Sequence, residues 1–320
     1  MDWADRIGRR VKLRHLHVLL AVAQTGSMSK AAVQLAISHP VVSKTISELE
    51  QALGVRLLDR RPNGVEPTVY GREIINCSMA VFDELRQSVK RIEFLSDPTA
   101  GELRVGSTSP LMAGFVPSVV DHLTRKHPRV LVHAVQEAVP ELHVALRDRR
   151  IDLAVARRSD LPLAQELVAE KLFDERLFIV AGIQNPLTHR RNIKLADLID
   201  EQWIMLPTQN PAEALLIEAF AKSGLPMPRA VVVSESGPLR NFLLATGRFL
   251  TVAAGSALHF TGRRLSLKIL PIKLPVERRP VDLIVLKNRT MAPVAQLFIE
   301  QARTAAKSMT HAWMRLGEKT

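Results

Sequence analysis

The residues that could do chemistry fall into two groups, and the first is compact. Pro40, Ser43, Lys44 and Ser47 follow one another at helical spacing. They share one face of a helix, opposite an apolar stripe of Val42, Ile46, Leu49 and Leu53. Hydroxyls and an ammonium above a buried stripe are hydrogen-bonding groups for base edges and phosphates, a combination that suits the DNA major groove. Downstream, Arg60 and Arg61 lead into a short hairpin closed by Asn63-Gly64. A basic hairpin beside such a helix can grip the phosphate backbone or the minor groove. The same residues also describe a small three-helix domain with a solvated, charged hairpin, and periodicity does not separate the two.

The second group is spread over the later chain. Ser107, Thr108 and Ser109 end an apolar strand and begin a helix. Arg157 ends another strand, Thr208, Gln209 and Asn210 precede a helix, and Ser236 follows the strand that ends at Val233. Free backbone N–H groups, hydroxyls and a guanidinium at the carboxyl ends of strands make an anion site, and a small carboxylate-bearing molecule fits them. The plainer reading makes Ser107 and Ser109 helix caps, with Arg157 and Arg158 as surface charge paired to Glu137 and Glu235. Nothing nominates a reaction. There is no P-loop, dinucleotide-binding glycine fingerprint, nucleophile elbow or His-Glu-x-x-His motif. The ten histidines show no metal-ligand spacing; His15 and His17 lie two apart on a helix and are read as edge or surface residues. No cofactor and no metal are expected.

The elements that must carry these groups follow from periodicity. Leu13, Leu16, Leu20 and Ala23 form a helical stripe ending at Gly26; Ser27 can cap a helix holding Ala31, Ala32 and Leu35; Ser38 can cap the third, which Gly54 ends. From Tyr70 to about Leu95 the chain has no proline, and Ile75, Ser78, Phe82, Leu85, Val89 and Ile92 form a heptad seam. Such a seam is satisfied by a second copy, parallel or antiparallel; the other reading is an amphipathic helix lying on its own domain. Asp97-Pro98 and Gly101 end it. Strands are then predicted over 103–106, 130–135, 152–156, 177–181, 203–206, 230–233, 250–253 and 281–286. Helices are predicted up to about 126 and over 140–149, 212–222, 237–246 and 293–307. This alternation gives an α/β fold with a parallel or mixed sheet covered by helices.

Bulk properties bound the function without naming it. The chain has 320 residues, 47% of them hydrophobic and 4% aromatic, so single-strand stacking platforms are not expected. No apolar run approaches the length of a membrane span. The start, Met-Asp-Trp-Ala-Asp, does not read as a signal peptide, and a cytoplasmic location is expected. Cys77, the only cysteine, excludes intrachain disulfides and cysteine-built zinc sites. The net charge is +12, yet residues 1–98 hold 14 basic against 11 acidic residues, so most of the excess lies beyond the helix that suits DNA.

Many positions at fixed spacing carry a family resemblance. Gly26-Ser27, Lys30-Ala31-Ala32, Leu35, Ser38, Pro40, Val42-Ser43-Lys44, Ile46, Leu49-Glu50, Leu53-Gly54, Leu57-Leu58, Arg60, Thr68 and Gly71 closely resemble the N-terminal signature of LysR-type transcriptional regulators. The later chain resembles their effector domain more loosely. The resemblance implies a winged helix-turn-helix, a long linker helix that pairs subunits, and a two-lobed effector domain like the type 2 periplasmic binding proteins. On this basis residues 11–69 are the DNA-binding domain and 70–98 the linker. Residues 99–170 with 276–308 make lobe I, 171–275 lobe II and 309–320 a tail.

The expected DNA contacts are Ser27, Lys30, Ser38, His39, Pro40, Ser43, Lys44, Ser47, Arg60, Arg61 and Thr68. The expected effector contacts are Ser107, Thr108, Ser109, Arg157, Thr208, Gln209, Asn210, Ser236 and Arg248. The expected partners are promoter DNA, a small effector that shifts lobe closure, a second copy of the chain or a homotetramer, and RNA polymerase. Three positions depart from the family. His39 stands in place of the usual Gln, so a preference for adenine does not carry over. Val41 replaces Ala and is read as a packing change. Arg248 begins a stretch unlike the usual Gly-Ile-Ala and would enter or border the cleft. The remaining alternatives are a solute-binding module with a vestigial DNA domain and an enzyme on the same two-lobed fold.

Overall fold

The computed structural model describes residues 10–61, 64–159, 162–261 and 265–317. The chain divides into two compact units, residues 1–89 and 90–320.

In the first unit, α1 (Leu13–Thr25), α2 (Met28–Gln34) and α3 (His39–Leu53) precede a hairpin of β1 (Leu58–Arg61) and β2 (Gly64–Pro67), and α4 starts at Val69. Gly26 and Gly54 end α1 and α3 in the left-handed region, with φ of 65° and 74°, as a residue without Cβ allows. The core joins Val18, Leu19 and Val22 of α1 to Ala31 and Ala32 of α2 and to Val42, Ile46 and Leu49 of α3. The buried face of α1 is therefore turned from the predicted stripe, and Leu13 is exposed. His15 is buried rather than at an edge; His17 packs its ring against Phe82, centroids 5.7 Å apart. The hairpin pairs Leu58 with Pro67 through Arg61 with Gly64. The predicted turn residue Asn63 and the side chain of Arg60 lie outside the described residues.

The helix α4 (Val69–Ser96) is continuous. Its fully buried residues are Gly71, Ser78, Asp83 and Gln87, not the whole predicted seam. Ile75 and Phe82 are half-buried, whereas Leu85, Val89, Ile92 and Leu95 are exposed. The first half of the seam thus packs locally and the second half is open.

The second unit holds two five-stranded sheets. The first is built from β3 (Ala100–Ser107), β4 (Arg129–Gln136), β5 (Leu153–Arg157), β6 (Leu167–Glu175) and a late strand over Arg279–Leu286, in the order β4-β3-β5-late strand-β6. The second comprises β7 (Leu177–Gly182), β8 (Gln202–Met205), β9 (Ala230–Val233), β10 (Phe249–Ala254) and β11 (Leu267–Ile269), in the order β11-β7-β10-β8-β9; the late strand is β12. The chain leaves the first lobe at Arg176 rather than near 170, because β6 pairs with β12 as far as Glu175. The final helix, α11, runs over Pro293–Gly317, so residues 309–317 extend a helix instead of forming a tail. Met309 is fully buried. Between these elements lie α5 (Ser109–Met112), α6 (Phe115–Lys126), α7 (Val139–Arg147), α8 (Pro211–Lys222), α9 (Gly237–Ala245) and α10 (Gly255–Thr261).

A buried ion network holds the first lobe at the start of its middle strand. Asp152, which precedes β5, accepts from the Arg104 N–H (2.9 Å) and from Arg289 Nη2 (2.9 Å), and Lys90 Nζ stands 3.6 Å away. Arg289 also donates to the Ile151 carbonyl at 2.8 Å. All three charged side chains are nearly inaccessible to water. Removing the carboxylate strands two buried cations, which costs far more than the intact network contributes. Asp152→Ala is expected to destabilise the second unit by about 3–5 kcal/mol, read from the urea midpoint followed by circular dichroism. A loss below about 1 kcal/mol, the scale of an exposed pair, would show the network to be incidental.

Candidate functional site

The helix α3 presents the predicted polar face to solvent. Ser38, His39, Pro40, Lys44 and Ser47 are exposed and Ser43 is half-buried, while Val42, Ile46 and Leu49 are sealed below. Ser38 occupies the N-cap position, but its side chain makes no capping hydrogen bond, in contrast to the expectation; its hydroxyl stays available. Val41 is 43% exposed, which overturns its reading as a packing residue. An apolar side chain therefore stands among the donors at the start of the helix.

Two glutamates that sequence reasoning did not single out fix this helix. Glu48 lies 3.9 Å from Lys44 Nζ and 3.5 Å from His15 Nε2. The Lys12 N–H donates to His15 Nδ1 at 3.3 Å, so in the neutral ring Nε2 carries the proton and faces Glu48. Glu50 Oε1 accepts from the backbone N–H groups of Leu57 (2.7 Å) and Leu58 (3.3 Å), tying α3 to the first hairpin strand. The only sequence signal for this role was the Leu49-Glu50 pair within the family signature.

Around the helix, the remaining expected DNA contacts have mixed roles. Lys30 is exposed. The Ser27 hydroxyl accepts from the Lys30 N–H at 3.4 Å and so caps α2. The Thr68 hydroxyl donates to the Arg56 carbonyl (2.8 Å) and accepts from the Gly71 N–H (3.0 Å). It closes the hairpin onto α4, and Gly71 is required there because a Cβ would collide with the Leu57 carbonyl. Arg61 is exposed and lies 3.3 Å from Glu66 across the hairpin.

In the second unit a cleft of about 840 Å³ opens between the two sheets. Of the expected effector contacts it gathers Thr108, Ser109, Arg157, Gln209 and Asn210. It does not gather the other four. Ser107 is fully buried and donates to the Val155 carbonyl at 2.5 Å, joining β3 to β5. Thr208 is exposed outside the lining. Ser236 caps α9, accepting from the Leu239 N–H at 3.4 Å. Arg248 lies over the Phe249 ring, 5.0 Å from its centroid, and does not border the cleft. Asn210 uses its carbonyl to cap α8 (2.9 Å from the Ala212 N–H) and its amide to hold Glu235 (3.0 Å).

The expected pairing of arginines 157 and 158 with Glu137 and Glu235 is not formed. Arg158 makes two bonds to Asp282, at 2.7 and 2.9 Å. Arg157 lines the cleft with no side-chain hydrogen bond or ion pair among the described residues. Burial pushes its guanidinium below the usual range; nearby Glu175 opposes this and Arg279 adds to it. Glu175, also in the lining, is pushed up by burial, although it accepts from the Ser256 N–H (3.0 Å) and hydroxyl (2.5 Å). Cys77 is exposed. Among the described residues no metal-ligand cluster occurs, and no helix is long and apolar enough to cross a membrane.

A helix-turn-helix with a basic hairpin, followed by a two-lobed α/β unit with a cleft, is the architecture of a DNA-binding regulator with a separate cleft-bearing domain. Residues 13–72 match the family model for the bacterial regulatory helix-turn-helix protein, lysR family, and residues 96–307 match that for the LysR substrate binding domain. The chain belongs to the LysR family of DNA-binding transcriptional regulators. It is 28% identical over 298 residues to the HTH-type transcriptional regulator GbpR of Azospirillum brasilense, covering 93% of this chain and 87% of that protein. It is 26% identical over 290 residues to the transcriptional dual regulator GltC of Bacillus subtilis, covering 91% and 96%. Among solved structures, a full-length OxyR variant from Pseudomonas aeruginosa shares the fold with a TM-score of 0.61 at 21% identity, covering 92% and 94%. Full-length CbnR complexed with its target DNA does so with a TM-score of 0.50 at 22% identity, covering 92% and 99%.

The Glu50 bracket generates a direct test. Glu50→Ala leaves two backbone donors without an acceptor and is expected to lower the stability of the first unit by about 1–3 kcal/mol. Hydrogen exchange at Leu57 and Leu58 should accelerate while exchange in the second unit is unchanged. Glu50→Gln keeps an acceptor oxygen and should lose less.

Proposed function

We propose that this regulator reads promoter DNA with the first two and a half turns of α3, pairs through α4, and answers to a small anionic effector held in the cleft. In this reading residues 11–69 bind DNA, 70–98 associate with a second copy, and the two lobes formed by 99–308 bind the effector. Ser43, Lys44 and Ser47 address base edges or phosphates, Ser38 and Lys30 take the flanking backbone, and the hairpin arginines 60 and 61 take the next phosphates. His39 replaces a residue suited to adenine, and exposed Val41 offers an apolar contact of the kind a thymine methyl takes. The exposed half-seam from Leu85 to Leu95 supports pairing of two copies, since a row of apolar residues on one helix face gains most by meeting its own counterpart. Assembly as a homotetramer, a cytoplasmic location, contact with RNA polymerase and the absence of a catalytic step complete the reading.

The observation that carries the effector half is Arg157. A guanidinium at the floor of a cleft, partly withdrawn from water and without an ion-pair partner among the described residues, is stabilised by an incoming carboxylate. Two experiments test the halves separately. Ser43→Ala with Lys44→Ala should abolish specific promoter protection in footprinting while leaving the melting profile intact; unchanged protection would refute the role given to α3. In a thermal-shift screen of aromatic and aliphatic carboxylates, a ligand at about a hundred times its Kd should stabilise the protein by roughly 2.7 kcal/mol. Arg157→Met should remove that stabilisation. Its persistence would refute the anchor.

A further inference from the structure

We infer that the cleft takes a small zwitterion, a molecule with one carboxylate and one ammonium as in a free amino acid, with Arg157 holding the anionic end and Glu137 the cationic end. The inference rests on the reading of Arg157 as an anion anchor and adds the second pole. It comes from the order of three strands in the first lobe. There β3 lies between β4 and β5, with Ser107 paired to Gln136 on one side and to Val155 on the other. One residue beyond Gln136 stands Glu137; two beyond Val155 stands Arg157; both line the cleft. Neighbouring strands are about 4.8 Å apart, so the backbones that carry the two charges are separated by roughly 10 Å, with Thr108 and Ser109 between them. The Glu137 N–H is held by the Ser107 carbonyl at 3.1 Å, which fixes its backbone against the central strand.

The other ionisable groups of the lining are already engaged. Arg158 is bound to Asp282, Glu235 to Asn210, Glu218 to Lys222 at 2.6 Å, and Glu175 to Ser256. Arg279, at the Glu175 register position, also has a partner. Among the described residues, Arg157 and Glu137 are the charged side chains of the cleft without an ion pair or side-chain hydrogen bond, and they have opposite signs. They do not pair with each other. A simple carboxylate on Arg157 would bring a second negative charge toward Glu137, which penalises it. A ligand that also carries an ammonium turns that repulsion into attraction, with Thr108 and Ser109 lining the cleft between the two charges.

The test is calorimetric titration of the full-length protein with each of the twenty free amino acids, with their deaminated carboxylates and with their carboxamides. At least one amino acid should bind, its deaminated carboxylate about tenfold more weakly, and its carboxamide more weakly still. Glu137→Gln should close the gap between amino acid and deaminated acid, and Glu137→Asp should retain part of it. Equal affinity for amino acid and deaminated acid in the unaltered protein would overturn the inference and leave the anion anchor standing. So would a gap that survives Glu137→Gln. Binding of neither amino acids nor carboxylates would overturn both.

Discussion

The requirement that a buried carboxylate be matched organises the effector unit. Asp152 sits out of water and is satisfied only when three separate parts of the chain converge on it: the backbone of β3 at Arg104, the loop after β12 at Arg289, and the end of α4 at Lys90. Each of these partners is distant in sequence, so the network forms only in the completed lobe. Its position matters as much as its strength. Asp152 precedes β5, a strand of five residues whose last residue is Arg157. One short strand, paired with β3 over residues 153–155 and with β12 over 154–157, therefore runs from the residue that follows Asp152 to the cleft-lining Arg157. The strand is held by hydrogen bonds to β3 on one side and to β12 on the other.

The DNA-reading unit solves a different problem. The polar face of α3, the reading face in the proposed function, must be stiff, yet the groups on it must keep free donors. The rigidity comes from groups that face away from that surface: the apolar stripe of α3, the Glu50 bracket to the hairpin and the buried His15 against Glu48. Hydroxyls at the edges are committed to backbone. Ser27 caps one helix and Thr68 closes the hairpin. Ser38 is different, since it stands at a cap position without making the bond. That contrast separates positions that build the unit from positions left over for a partner, a distinction that residue type alone does not make.

What the sequence made legible follows from how local each signal is. Helices with strong periodicity and glycine stops, such as α3, were readable to the residue at their ends. Strands buried on both faces, such as β5, announced themselves as apolar runs. The strand β6 did not. It borders its sheet, and its sequence Leu-Val-Ala-Glu-Lys-Leu-Phe-Asp-Glu mixes charges into the pattern because only some positions are covered. The phase of α1 is not legible from sequence, because Leu13, Leu16, Leu20 and Ala23 make as good a stripe as the one actually buried, and only packing against α2 and α3 chooses between them. In the cleft, Arg157 could be reached from its place at a strand end. Ser107 could not be separated from Ser109, because whether a hydroxyl turns inward to a neighbouring strand is a tertiary fact. Glu137 was legible only as a generic partner for arginine, whereas its lack of one is the informative feature.

Charge placement decides more here than charge total. The excess positive charge lies mostly beyond residue 98, and at physiological ionic strength its field is screened within about 8–10 Å. It can hasten an encounter with DNA but cannot select a site. In the proposed reading selection falls to the few groups on α3 and the hairpin, where Lys44 and Arg61 are already shadowed by acids, Lys44 by Glu48 and Arg61 by Glu66. Both pairs are exposed and therefore weak, so a phosphate or base acceptor in the right place displaces the carboxylate at small cost. A misplaced one leaves the acid facing DNA. If Lys44 and Arg61 meet DNA as proposed, the acids beside them sharpen discrimination, because they convert a general attraction to polyanions into an attraction that depends on register.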